Sequence, residues 1–195
     1  MPINWTEAIP IDPRGRAYPL KRTPTSGVLQ GCVTSENLIG CDTHFFGGRT
    51  MPCERPACEA CDKGMPFRWH GYVAAVQHKT HLGFIFEFTA QAGDAFQQYF
   101  AAHATLRGCE FAARRLHAKP NGRVILLCTP LDLTNIKLPA APDVIACMSI
   151  IWNLPAGQVR GDTSIGDRPA MTNTQQTLSR FNGEILKSPN VLDPK

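Results

Sequence analysis

Apolar and polar positions alternate with a period of two along much of the central chain, which is typical of β-strands. Residues 27–40 are rich in β-branched side chains and predict a first strand with a bend at Gly31. Residues 67–77 and 81–90 are two aromatic-rich runs separated by a short polar turn. This arrangement predicts a β-hairpin that supplies the second and third strands.

The period changes after the hairpin, and then it returns to two. Apolar residues at helical spacing follow Asp94, a suitable N-cap, and Gly108 is a suitable stop, so we predict a helix between them. Residues 109–118 and 123–130 predict the fourth and fifth strands, and the Asn121-Gly122 pair between them favours a tight turn.

Five strands with one helix between the third and the fourth is the element order of an oligonucleotide/oligosaccharide-binding (OB) barrel. The sequence therefore predicts a mainly β protein with a five-stranded, OB-type Greek-key barrel. A cysteine-rich loop is expected between strands 1 and 2. In this fold the ligand lies over strands 2 and 3 and the loops that join 1 to 2 and 4 to 5.

The rest of the chain suggests two extensions around this domain. Residues 1–26 are rich in proline and basic residues and predict an extended arm, and residues 27–153 form the predicted domain. Within the domain, residues 143–152 have apolar side chains at helical spacing and predict a short helix docked on the barrel. Residues 154–195 contain a stretch without periodicity and are predicted to be a flexible tail.

Composition narrows the class of protein. The 195 residues carry a net charge of +4 and eight cysteines. No run reaches the roughly 18 apolar residues that a bilayer span requires, so we expect no membrane association and a cytoplasmic or nucleoid-associated location. In a reducing compartment, clustered cysteines favour metal binding over disulfides. Four cysteines are instead isolated in apolar runs and predict small buried side chains: Cys32, Cys109, Cys128 and Cys147.

The remaining cysteines suggest a zinc site. His44, Cys53, Cys58 and Cys61 have the spacing H-x8-C-x4-C-x2-C, and four nitrogen or sulfur ligands suit the tetrahedron of structural Zn²⁺. A segment with so few apolar residues has little core of its own, and a bound ion replaces it. Cys41 is an alternative to His44 as the first ligand. A redox pair, a disulfide or free thiols are the other interpretations of the cysteines.

Basic and aromatic residues occur in the predicted strand 2 and in both ligand-flanking loops. Basic side chains there would follow a phosphate backbone, and the ring of Phe45, Phe46, Trp69 or Tyr72 would stack on bases. The predicted nucleic-acid contacts are Arg49, Arg55, Lys63, Arg68, Trp69, Tyr72, Lys119 and Arg123.

The histidine, the isolated cysteine and the close cysteine pair, together with the element order, resemble the zinc-containing single-stranded DNA-binding proteins of phages, of the T-even helix-destabilising type. The resemblance implies ligand roles for His44, Cys53, Cys58 and Cys61 in an OB-type domain. The spacings differ from the phage pattern, and the chain lacks the acidic C-terminal tail that recruits replication partners in many such proteins.

We therefore expect a non-enzymatic protein that binds single-stranded DNA, or RNA, in replication, recombination or repair, with a structural zinc ion. The alternative is a protein-interaction or scaffold module with a structural zinc loop. A protein partner through the C-terminal segment is also expected. An enzyme is disfavoured because the sequence lacks grouped carboxylates, a Walker lysine motif and a Gly-x-Ser-x-Gly motif.

Overall fold

The computed structural model describes residues 18–154, except residues 79 and 135. The first 17 residues of the expected arm and nearly all of the expected tail, 155–195, lie outside the described residues. The elements in chain order are β1 Leu20–Arg22, β2 Val28–Val33, β3 Ile39–Phe46, β4 Arg49–Pro52, α1 Glu59–Asp62, β5 Phe67–Val76, β6 Gly83–Thr89, α2 Ala90–His103, β7 Cys109–Arg115, a 3₁₀ turn Leu116–Ala118, β8 Val124–Pro130 and α3 Val144–Trp152. The prediction of a mainly β protein is confirmed.

The strands form one mixed sheet with the order β1-β6-β5-β2-β7-β8, and β3 pairs with both β4 and β5. Within this path β7, β2, β5 and β6 are antiparallel neighbours, which is the order 4-1-2-3 of a Greek key. β1 pairs with β6 in parallel. In the part of the chain that the structure describes, the two ends of the path, β1 and β8, are not paired with each other, so the sheet is open.

The expected count of five strands is wrong, because three segments add strands. The predicted first strand is divided between β2 and β3. The N-terminal arm supplies β1, and the cysteine-rich segment supplies β4. That segment is therefore largely a hairpin with a short helix, rather than an irregular loop.

The break in the predicted first strand falls at residues 34–38. The amides of Thr34 and Ser35 both donate to the carbonyl of Ala74, at 2.8 and 3.5 Å, where the chain leaves the ladder. Pairing with β5 resumes at Ile39, opposite Tyr72. Gly31, where the sequence predicted a bend, lies inside β2 and pairs with Phe111 of β7.

Aromatic side chains from β6, β7 and α2 fill one face of the sheet. Phe84, Phe86 and Phe96 are fully buried, and Phe111 is only 1% exposed. The rings of Phe86 and Phe111 stack with centroids 4.8 Å apart. α2 covers these rings, so this side of the sheet is the main hydrophobic core.

The helix between the predicted strands 3 and 4 is confirmed, although its limits are displaced. α2 begins after Thr89 rather than at Asp94, since Ala92 is buried and extends the apolar face upstream. It ends at His103, before the predicted stop at Gly108, and Ala104 with φ 58° caps it in the left-handed conformation. Among the described residues, no helix is long and apolar enough to span a bilayer.

The second helix of substantial length, α3, packs against the opposite face of the sheet. The helix predicted at 143–152 is thus confirmed, and the Asp143 side chain caps it by accepting a hydrogen bond from the Ala146 amide at 3.0 Å. Met148 and Trp152 of α3 lie against Tyr72 and neighbouring residues of β5 and β6. Part of the outer face of these two strands is therefore covered.

Candidate metal centre

The four predicted ligands come together around the β3–β4 hairpin. His44 lies in β3 and pairs with Met51 of β4. Cys53 follows β4 directly, and its amide donates to the Asp42 carbonyl at 2.8 Å, which extends the ladder by one bond. Cys58 precedes the short helix α1, and Cys61 lies within it.

The ligand atoms lie at separations that fit a tetrahedron around a small ion. All four lie within 4.8 Å of one another. The Nε2 atom of His44 is 3.4 Å from Cys61 Sγ, and Cys53 Sγ is 3.6 Å from Cys61 Sγ. Zn–S and Zn–N bond lengths of about 2.3 and 2.05 Å give tetrahedral edges of about 3.8 Å between sulfurs and about 3.5 Å from nitrogen to sulfur. The Cys53 and Cys61 sulfurs are too far apart for a disulfide, whose S–S bond is about 2.05 Å, and Cys58 is also a free cysteine.

The hydrogen bond of the His44 ring selects its tautomer. Nδ1 lies 3.1 Å from the Pro66 carbonyl oxygen, which can only accept. Nδ1 must therefore carry the proton, and the lone pair of Nε2 is left for a metal. A ligating histidine that is oriented in this way by a backbone carbonyl is common in metal sites. His44 is only 1% exposed, so its ring has little freedom to turn.

The turn that carries Cys58 and Cys61 is closed by backbone hydrogen bonds, and it also places backbone amides next to the Cys58 sulfur. The Asp62 amide donates to the Cys58 carbonyl at 3.0 Å, and the Gly64 amide donates to the Cys61 carbonyl at 2.9 Å. Hydrogen bonds from the amides of Cys61 and Glu54 to the Cys58 sulfur lower the pKa of Cys58. The turn thus favours the thiolate form, which is the form that binds metal.

The pKa values of the other two cysteines, Cys53 and Cys61, are shifted in opposite directions. Burial opposes ionisation of Cys53, but hydrogen bonds from the Arg55 amide, the Cys61 thiol and the Arg55 guanidinium outweigh it and lower the pKa of Cys53. Burial, together with neighbouring Cys53 and Cys58, raises the pKa of Cys61 to about 11. Metal binding at neutral pH would therefore displace a proton from Cys61.

The alternative ligand Cys41 lies on the other face of β3. It pairs with His70 of β5 and packs beside the apolar residues that surround α3. Burial raises the pKa of Cys41 to about 11, which disfavours its thiolate. The structure therefore brings His44, and not Cys41, to the three cysteines. His70, which pairs with Cys41, is engaged in a hydrogen bond of its own, since its Nδ1 lies 2.5 Å from Thr43 Oγ1.

The predicted nucleic-acid contacts have several different positions. All six basic residues are exposed: Arg49, Arg55, Lys63, Arg68, Lys119 and Arg123. Lys63 forms an ion pair with Glu59 at 2.7 Å, and its ammonium lies 4.9 Å from the centre of the Phe46 ring. Arg55 lies beside Cys53 in the metal cluster.

Two of the four aromatic residues predicted to stack on bases, Trp69 and Tyr72, are turned inward. Tyr72 is 1% exposed, and its ring contacts Trp152 of α3 edge to face. Trp69 packs on the main core, edge to face with Phe88. A β-carbon at Gly40 would lie 2.0 Å from the Trp69 ring, so the indole rests directly on that backbone. The expectation that Tyr72 stacks on a base is not compatible with its buried position.

Two residues that the sequence did not single out join the two predicted ligand loops. The Arg22 guanidinium donates to Thr50 Oγ1 of β4 at 3.1 Å and binds both oxygens of the buried Glu87 carboxylate, at 2.5 and 3.1 Å. The carbonyl of the next residue, Thr23, accepts from Arg115 at 3.2 Å, at the end of β7. The β3–β4 and β7–β8 hairpins therefore approach the same short segment. Its basic composition was the available signal, but its pairing with β6 required the fold.

Comparison with models of protein families, with curated proteins and with solved structures gives no match. The geometry of the metal cluster and of the two hairpins therefore remains the basis for a functional conclusion.

Proposed function

We propose that this chain is a zinc-stabilised, OB-type protein that binds single-stranded DNA, and RNA as a second ligand, without catalysing a reaction. Its role would be to hold bases unpaired in replication, recombination or repair. The Greek-key order of β7, β2, β5 and β6, with α2 between the third and fourth of these strands in sequence, supports the OB assignment. An OB fold is a partly open barrel, so an open sheet is compatible with it.

Zinc is the ion that best fits the proposed site. The donor set is one imidazole nitrogen and three sulfurs, which is a common set of structural zinc sites. Four protein ligands leave no open position for a reacting water, so a structural role is favoured over a catalytic one. The ion would hold β4 and α1 against β3 and β5, where apolar burial is scarce.

The approach of the two hairpins to Arg22 and Thr23 is the observation that carries the nucleic-acid proposal. In OB folds the corresponding loops flank the bound strand. Arg68 is exposed on the β5 face opposite the one that carries Trp69, and Lys119 and Arg123 are exposed at the β7–β8 connection. Because α3 covers the neighbouring outer face around Tyr72, the strand would lie toward the β3–β4 end of the sheet.

Phe45 is the aromatic residue best placed for stacking on this surface. Its side chain is 66% exposed, and by strand alternation it lies on the same face of β3 as Thr43, which pairs with Arg68. A base stacked on an aromatic ring contributes about 1 to 3 kcal/mol. Of the four aromatic residues that the sequence suggested for stacking, Phe45 is therefore the proposed one.

The proposal is tested by titrating a fluorescent single-stranded oligonucleotide at two salt concentrations. We expect binding that weakens as salt increases, with a slope of about 0.7 per neutralised phosphate. Phe45→Ala and Arg68→Gln should each weaken binding, and Arg68→Gln should also reduce the salt slope. Lys137→Gln is the control, since Lys137 is exposed in the segment between β8 and α3, outside both hairpins. Absence of binding by the zinc-loaded protein at low salt would refute the proposal.

A protein-interaction module is the second candidate, and one observation favours it. Val28 and Leu127 are 52% and 62% exposed, and the strand registers put them on the same face of the sheet in β2 and β8. Exposed apolar side chains that lie together often mark a binding surface. In that case, Leu127→Asp would abolish capture of a partner and leave oligonucleotide affinity unchanged.

A further inference from the structure

Arg55 is held by three contacts, although its side chain is 49% exposed. Nε donates to Cys53 Sγ at 3.3 Å, and Nη2 donates to Asp42 Oδ2 at 2.8 Å. The plane of the guanidinium also lies over the Phe67 ring, 4.2 Å from its centre. A long side chain with this many partners has a defined position beside one sulfur of the cluster.

Phe67 connects this arginine with a second member of the cluster. Its ring packs edge to face with the His44 imidazole, with centroids 6.2 Å apart. One aromatic side chain therefore supports His44 and carries Arg55 on its face. Phe67 is nevertheless 49% exposed, so its place is defined by these neighbours more than by burial.

The charge of the proposed site explains why a cation belongs there. Zn²⁺ with three thiolates and one neutral imidazole has a net charge of −1. A guanidinium that donates to one thiolate compensates this charge and withdraws electron density from the sulfur. Asp42 lies on the other side of the guanidinium and orients it.

We propose that Arg55 is a positioning residue of the metal centre, which stabilises the Cys53 thiolate in the zinc-bound state, and that it is not a contact for nucleic acid. This inference rests on the proposed zinc site. It changes the assignment of Arg55 that the sequence suggested, because Nε and Nη2 of the half-exposed guanidinium already donate to sulfur and carboxylate, and the Phe67 ring lies against it.

The test compares Arg55→Gln and Arg55→Lys with Arg49→Gln, which removes an exposed arginine from the same hairpin. Zinc affinity is measured by competition with a chromophoric chelator, and circular dichroism checks the fold of each variant. We expect Arg55→Gln to lose about 10- to 100-fold in zinc affinity, as is typical when a residue that supports a metal ligand is removed. Arg55→Lys should lose less because it keeps the charge, and Arg49→Gln should match the wild type.

Two further readouts separate this role from simple packing. In the cobalt-substituted protein, the thiolate-to-cobalt charge-transfer band should shift in Arg55→Gln and not in Arg49→Gln. Oligonucleotide affinity of zinc-saturated Arg55→Gln should equal that of the wild type. A loss of oligonucleotide affinity with unchanged zinc affinity would overturn the inference.

The failure of this inference is distinguishable from the failure of the proposed function. If the wild-type chain binds no stoichiometric zinc, both the zinc site and the role of Arg55 are refuted. If the wild type binds zinc and Arg55→Gln binds it equally tightly, the role of Arg55 alone is refuted.

Discussion

The main core and the β3–β4 hairpin, which carries the candidate metal site, belong to one continuous sheet, yet they bury different kinds of side chain. In the core, Phe84, Phe86, Phe96 and Phe111 from two strands and a helix are almost completely buried. Around the hairpin the large apolar side chains of Phe45 and Phe67 are 66% and 49% exposed. The buried side chains there are small or polar: Thr43, His44, Cys58 and Ala60.

This difference indicates how each region would fail. Apolar burial is spread over many contacts, so the loss of one side chain reduces stability in proportion to the volume removed. Coordination depends on four atoms and on the supply of an ion, and it is lost as a unit. The core should therefore be sensitive to truncation and insensitive to chelators, whereas the hairpin should show the reverse.

Truncation of the central ring of the core should have the largest effect. Phe86 is fully buried and stacked on Phe111, so Phe86→Ala should reduce the free energy of unfolding by about 3 to 5 kcal/mol. Urea unfolding followed by circular dichroism measures this. Leu127→Ala, at a 62% exposed position, is the control and should change stability little. Equal effects of the two variants would show that the aromatic cluster is not the main source of stability.

Loss of one ligand should have a smaller and local effect. Cys58→Ser removes a thiolate, and at a free zinc concentration of 100 times the dissociation constant the stabilisation lost is about 2.7 kcal/mol. Amide hydrogen exchange should therefore become about 100-fold faster in β3 and β4, while β6 and β7 keep their protection. A chelator should reproduce this pattern in the wild type. Uniform loss of protection across the sheet would contradict the separation of the two regions.

The sequence predicted the core better than the hairpin for a physical reason. Alternation and helical spacing depend on neighbouring residues, so β5, β6, β7, β8 and α3 lie close to their predicted limits. β1 has three residues and no pattern of its own, and its position depends on the parallel pairing with β6. Local sequence carries no information about such a distant partner.

The group of His44, Cys53, Cys58 and Cys61 was predictable because its candidate ligands are few and chemically distinct. The spacing of the cysteines suggested the site without any knowledge of β4 or α1. The surroundings of the cluster were not predictable, since the contacts of Arg55 with Asp42 and Phe67 join three separate segments. The same limit applied to Tyr72, whose burial depends on a helix that begins 72 residues further along the chain at Val144.

A smaller effect is expected when α3 is loosened from the face of β5 and β6 that it covers. Such a change affects neither the main core nor the β3–β4 hairpin directly. Asp143→Ala removes the N-cap of α3 and should cost about 1 kcal/mol. Trp152 fluorescence should then change at lower urea concentration than the circular dichroism of the sheet. Asp143→Asn, which retains a capping oxygen, should behave almost as the wild type. A simultaneous transition in Asp143→Ala would mean that α3 and the sheet unfold as one unit.

The smallest expected effect is a pH dependence at the junction of the two regions. Burial lowers the pKa of His70, while the unfolded chain titrates near 6.5, so acid favours the unfolded state. The contribution is intact above about pH 6.5 and is lost as the pH falls through and below that value. His70→Gln should therefore lose less stability than the wild type between about pH 7.5 and 5.5. An identical loss in both proteins would exclude His70 as a source of acid sensitivity.

The position of Trp69 gives the protein an internal optical reporter. Its indole rests on the backbone of Gly40 and Gly71, where the strand that carries His44 joins the strand that continues into the aromatic core. Emission from this residue is therefore sensitive to both neighbours at once. In a variant with Trp5 and Trp152 replaced by phenylalanine, the emission of Trp69 alone would show how far the removal of the proposed ion perturbs the sheet. The change would either reach the aromatic core or stay within the strands around Gly40 and Gly71.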